Sequence, residues 1–142
     1  MDCFLKLLLS AVLGAGMLAA NAAGPTPANH PLVGTWSWVT FGGSCTETLQ
    51  YRANQTLLST SGQEVAEKRY EVAATPDVKG FYKLTETVLR QNDKKDCAGA
   101  LLDGPGEQVV RFIQFSPQRD KLLVCESAAL TACFGPLTKV LE

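Results

Sequence analysis

One histidine, no Cys-x₂₋₄-Cys pair, no cluster of cations and only one long apolar run occur in the 142 residues, and each absence removes a class of function. A structural zinc site needs closely spaced Cys or His ligands, so neither that spacing nor a Cys-x-x-Cys redox pair is available. His30, the lone histidine, lies outside the patterned part of the chain, which leaves no obvious general base. A Gly-x-Ser-x-Gly nucleophile turn is missing, and Gly42-Gly43-Ser44-Cys45 reads as a glycine-rich turn instead. The carboxylates show no paired spacing, so an enzyme would need acids brought together from distant positions. The expectation is a non-enzymatic protein with no cofactor and no metal. Lys94-Lys95 is the largest basic group, and Asp93 and Asp96 flank it, so the basic footprint of a nucleic-acid partner is missing too.

The long apolar run sits at the start. Lys6 precedes residues 7–20, broken only by Ser10 and two glycines, and Ala20-Asn21-Ala22 follows. A charged start, a short apolar core and an A-x-A site make a secretory signal over residues 1–22. The core is short for a bilayer span, which disfavours the rival reading of a retained membrane helix. Its removal takes Lys6 and Asp2 together, so the net charge stays at -1. With no lipidation cysteine at the cleavage point, the expected product is soluble and either periplasmic or extracellular. Residues 23–31 contain three prolines and read as a flexible arm. Leu141-Glu142 matches a common vector junction before a histidine tag.

Between these ends the chain alternates with period 2. Strand candidates fall at residues 32–41, 45–52, 56–60, 63–74, 81–91, 107–116, 121–126 and 133–140. Residues 64–69 also tolerate a helical reading, but the alternation that follows favours strand. Most connections are short; residues 92–106, with three glycines and a proline, form the longest. Pro136 belongs at an edge, bulge or irregular entry of the last strand. Eight sequential hairpin strands over residues 32–140 close most simply as an all-β, antiparallel up-and-down barrel, with a two-sheet sandwich as the alternative.

Loss of Cys3 with the signal leaves Cys45, Cys97, Cys125 and Cys133, an even number in an oxidising compartment. Four cysteines allow three pairings. Cys125 and Cys133 fit the base of one hairpin, and Cys45 with Cys97 would then tether the long loop to the second strand. Each bridge should contribute about 2–4 kcal/mol.

Gly34-Thr35-Trp36, at the head of the first strand, resembles the G-x-W signature of the lipocalin and calycin group. The resemblance implies an eight-stranded barrel in which Trp36 closes one end and Gly34 permits tight entry into the strand. The group's T-D-Y turn motif is absent, and so is its last-strand arginine over the tryptophan. Lys139 is the only cation in the last strand and is the candidate to lie over Trp36. The chain thus resembles a small bacterial lipocalin-like barrel more than a retinoid carrier.

The faces most suited to the interior carry Trp38, Tyr51, Tyr70 and Tyr82, an aromatic lining for a small apolar or aromatic ligand. Glu86 shares a face with Tyr82, Leu84 and Val88, and an inward Glu86 needs a partner. Arg111, on the neighbouring long strand, is the candidate. Together they would form a structural pair or the polar end of a ligand site. Two alternatives stand beside the carrier reading: a barrel filled by its own side chains, and an envelope inhibitor or accessory factor acting on a protein through the arm or the loop at residues 126–132.

Overall fold

A computed structural model of the chain describes residues 26–40 and 42–141; the signal candidate, residues 23–25 of the arm, Phe41 and Glu142 lie outside the described residues. Eight strands form one closed antiparallel barrel, each paired with its neighbours in sequence and the last paired with the first. They are β1 (Gly34–Val39), β2 (Thr46–Tyr51), β3 (Thr56–Ser61), β4 (Glu64–Val72), β5 (Tyr82–Gln91), β6 (Gln108–Phe115), β7 (Lys121–Cys125) and β8 (Cys133–Val140). The expected up-and-down barrel is therefore present, and the sandwich is not. Closure leaves no unpaired strand edge. Among the described residues, no helix is long and apolar enough to cross a membrane.

Alternation decides which side chains point inward. In β3, Leu57, Ser59 and Ser61 are buried while Thr56, Leu58 and Thr60 are less so. Two bulges interrupt the rule. Opposite Glu67-Lys68, β5 carries one extra residue, because Glu67 pairs with Arg90 and Lys68 with Val88. The insertion turns Arg90, which strict alternation places with Val88, to the outside, where it bonds Glu67 at 2.6 Å. The second bulge lies in β8, where Leu122 pairs with Leu137 but Val124 with Phe134. Pro136 is exposed at that irregularity, where its missing N–H interrupts little of the ladder.

The up-and-down order sends the chain's connections to two opposite ends. One end gathers the β2–β3, β4–β5 and β6–β7 turns and is closed. Trp36, Tyr70, Leu84, Ile113, Leu122 and Leu137 form the fully buried core there, with Leu32 over them. Trp36 Nε1 donates to the Leu32 carbonyl at 2.9 Å, so its single polar atom is satisfied. Lys139 Nζ lies 5.2 Å from the Trp36 ring centroid and 3.4 Å from the Pro31 carbonyl, the place expected for it. Gly34 makes room for that side chain: its φ is +132°, and a Cβ on it would stand 2.9 Å from Lys139 Cε.

The reading of residues 23–31 as a flexible arm requires correction for the described part, residues 26–31. His30 is buried against the closed end. Its Nδ1 accepts the Leu32 N–H at 3.1 Å, which leaves the proton on Nε2 to donate to the Ala73 carbonyl, also at 3.1 Å. The ring meets Tyr82 edge-on at 5.2 Å. Prolines here serve a turned cap over the core, a role that composition alone does not distinguish from a loose linker.

Candidate functional site

The other end gathers the β1–β2, β3–β4, β5–β6 and β7–β8 connections and is open. Both disulfides are here, in the expected pairs: Cys45–Cys97, 52 residues apart, and Cys125–Cys133, 8 apart. The first draws the long β5–β6 loop onto the β3–β4 turn. Gln63 N donates to the Lys95 carbonyl at 3.2 Å, and Asn92 Nδ2 to the Gln63 carbonyl at 2.9 Å. Gly62 fits beneath the loop because a Cβ would press to 3.2 Å on the Asp96 backbone.

Within this rim lies a cavity of about 350 Å³. That volume is at the lower end of the about 300–1,000 Å³ usual for small-molecule sites. Leu49, Val109, Val124 and Phe134 form apolar wall, with Leu102 contributed by the loop. Trp38 stands beside Phe134, ring centroids 5.9 Å apart. The remaining lining is polar and arranged in two networks.

The first network starts at the rim. Trp38 Nε1 donates to Glu47 Oε2 at 2.6 Å, and Ser61 Oγ donates to Glu47 Oε1 at 2.7 Å. Ser61 Oγ in turn accepts the Cys97 N–H at 3.0 Å. Register explains the meeting: Trp38 is paired with Glu47, and Glu47 with Ser61, in three consecutive strands. A wall aromatic is thereby coupled to the disulfide-bound loop.

The second network is deeper. Glu86 accepts from Tyr51 Oη at 2.7 Å and from Lys68 Nζ at 3.2 Å. Burial and the neighbouring Glu86 carboxylate push the Tyr51 hydroxyl well above its usual range, so it stays a proton donor. The expected Glu86–Arg111 pair is not formed. Glu86 faces Tyr70 across β4 and Lys68 is its diagonal neighbour, whereas Arg111 is paired with Leu84. Among the described residues Arg111 makes one hydrogen bond, a long 3.5 Å contact to the Val110 carbonyl. Arg111 still lines the cavity.

Of the residues singled out from sequence, Trp38, Tyr51, Glu86 and Arg111 line the cavity. Tyr70 and Tyr82 do not, and this corrects the expected aromatic lining. Tyr70 lies under Tyr51, edge to face at 5.0 Å, with its hydroxyl donating to the Arg52 carbonyl at 2.6 Å. Tyr82 is at the closed end with His30 and Phe115. Both point inward but stand near the β4–β5 connection, on the wrong side of the core. Glu47, Glu64, Lys68, Ser59 and Ser61 went unrecognised. For Lys68 and Glu64 a signal existed, since both share parity with the inward Ala66 and Tyr70.

Glu64 is 5% exposed yet lines the cavity, and burial raises its carboxyl above the ordinary carboxylate range. Among the described residues no three His, Cys, Asp or Glu side chains converge into a metal site. No family model matches the chain, and neither curated proteins nor solved structures show significant similarity to it.

Proposed function

We propose that this is an exported, non-enzymatic barrel of lipocalin-like type that holds a small molecule with an apolar or aromatic body in its open end. The observation that carries this reading is the cavity of about 350 Å³ with an aromatic wall at Trp38 and Phe134 and polar groups deeper in. Concave, largely apolar sites with a few placed polar groups are the common form of small-molecule sites. The solid closed end supports it from below, because a barrel filled along its whole length would have no such space. Residues 1–22, with the A-x-A site, support export from the cytoplasm.

The test is native mass spectrometry of protein exported with its own leader and recovered from the periplasm. The expected result is an N-terminus at Ala23 and a bound small organic mass, displaced in a Val109→Trp variant that fills the cavity. Empty protein in both forms would refute the carrier reading. A second reading has one observation in its favour: Leu130 is exposed on the loop closed by Cys125–Cys133, a rigid projection suited to a protein partner. Loss of an envelope-protein partner on Leu130→Asp, with the cavity variant unaffected, would move the function to that loop.

A further inference from the structure

Four carboxylates line the cavity, from Glu47, Glu64, Glu86 and Asp96, against two cations, from Lys68 and Arg111. Their hydrogen bonds separate them. Glu47 is held by Trp38 and Ser61. Glu86 is held by Tyr51 and Lys68, so that cation is already engaged. Asp96 Oδ1 accepts from the backbone of Ala98 and Ala100 within its own loop. Glu64 differs from all three. It is buried, it faces the cavity, and among the described residues nothing donates a hydrogen bond to it. Lys68 attracts it across space, while Glu47 and Asp96 repel it. Its carboxylate oxygens are not sealed from solvent but open onto the cavity. A ligand that brings a donor there gains a charge-assisted hydrogen bond.

Resting on the carrier reading above, we propose that Glu64 is the recognition group for an organic cation, so that the ligand is a small aromatic or apolar amine. The ammonium would donate to Glu64 beneath the disulfide-bound loop, with the apolar body against Trp38, Phe134 and Val109. The acid excess around Glu64 favours a cation, and the absence of three converging ligands among the described residues favours an organic cation over a metal ion. Arg111 is the competing anchor and would select an anion. It is less buried than Glu64 and shares its surroundings with Glu86, so an anion arriving there meets a like charge.

The test compares three probes of one shape, 2-phenylethylamine, phenylacetate and propylbenzene, by calorimetry on wild type and Glu64→Gln. The amine should bind about tenfold to a hundredfold more tightly than the neutral probe, and the preference should vanish in E64Q while propylbenzene binding persists. Equal binding of all three would overturn the role of Glu64 and leave the carrier reading standing. Preference for phenylacetate would overturn it in favour of Arg111. Failure of all three at millimolar concentration would remove the carrier reading and this proposal together. Should E64Q fold poorly, wild type decides alone: nuclear Overhauser contacts between the amine's nitrogen-bearing methylene and the Glu64 side chain are expected, and their absence from a bound complex would refute the assignment.

Discussion

The two ends of this barrel are held by different physics. At the closed end Trp36, Leu84, Ile113, Leu122 and Leu137 are fully buried, and the Trp36 and His30 rings above them are held by short local bonds. Apolar burial of this kind contributes about 25 cal/mol per Å² and needs no cross-link. At the open end the interior is occupied by charged and hydroxyl side chains around a cavity, so that source of stability is largely absent. Both disulfides lie there. The difference teaches that an open cup at one end of a small barrel is stabilised through covalent closure of its loops and the packing of the opposite end.

The largest expected effect lies in the closed end. Trp36→Ala should cost about 3–5 kcal/mol, as for other fully buried aromatics. Trp38→Ala, on a half-buried wall, should cost about 1–2 kcal/mol, chiefly through the lost bond to Glu47. Denaturant melts of both variants measure the ratio, and equal losses would break the division between the ends.

The disulfides should rank by the chain they close. Replacing Cys45 and Cys97 by serine should cost about 4 kcal/mol, and replacing Cys125 and Cys133 about 2.5 kcal/mol, from the entropy of the respective loops. Equilibrium unfolding of the two double variants sharpens the comparison; a larger loss from the short loop would show that the rim depends on local geometry instead.

Lys68→Met removes the cation from Glu86 but leaves Tyr51 in place. The expected loss is about 1.5–3 kcal/mol, the range for hydrogen bonds to charged groups, moderated by water in the cup. Arg111→Met should cost less, because Arg111 has no carboxylate bond to lose. A reversal of that order would restore the Glu86–Arg111 pair that alternation suggested.

The smallest effect is a pH dependence at the closed end. Burial lowers the His30 pKa below its ordinary 6.5, and protonation of Nδ1 would displace the Leu32 N–H. Between the lowered folded value and 6.5 the unfolded chain binds more protons, so His30 contributes stability that is complete above pH 6.5 and is lost as pH falls through the folded value. Melting of wild type minus His30→Gln across pH 4.5–7.5 isolates this contribution. Glu64 titrates in the opposite sense, its raised carboxyl favouring the folded state at lower pH, and it cancels in the difference.

Strand number, closure and cysteine pairing were legible because each depends on short-range pattern: alternation, turn residues and loop length. Alternation also identified the inward face of Tyr51, Tyr70, Tyr82 and Glu86. It carries no information on height along the barrel axis. For this reason alternation does not distinguish Tyr51, which reaches the cavity, from Tyr82, which packs with His30 and Phe115 instead. The partner of Glu86 was hidden for a related reason, since the register of β4 on β5 decides which diagonal neighbour reaches it. His30 was hidden because a single buried residue among prolines has no periodicity to reveal it.

Native-state hydrogen exchange on oxidised and reduced protein tests the division between the ends most directly. Reduction should accelerate exchange in the halves of β2, β3, β4, β7 and β8 near the rim, at Glu47, Ser61, Val65 and Phe134. Protection at Trp36, Tyr70, Leu84, Ile113 and Leu122 should persist. Uniform loss of protection in both halves, or loss confined to the closed end, would contradict the view that packing holds one end and cross-links hold the other.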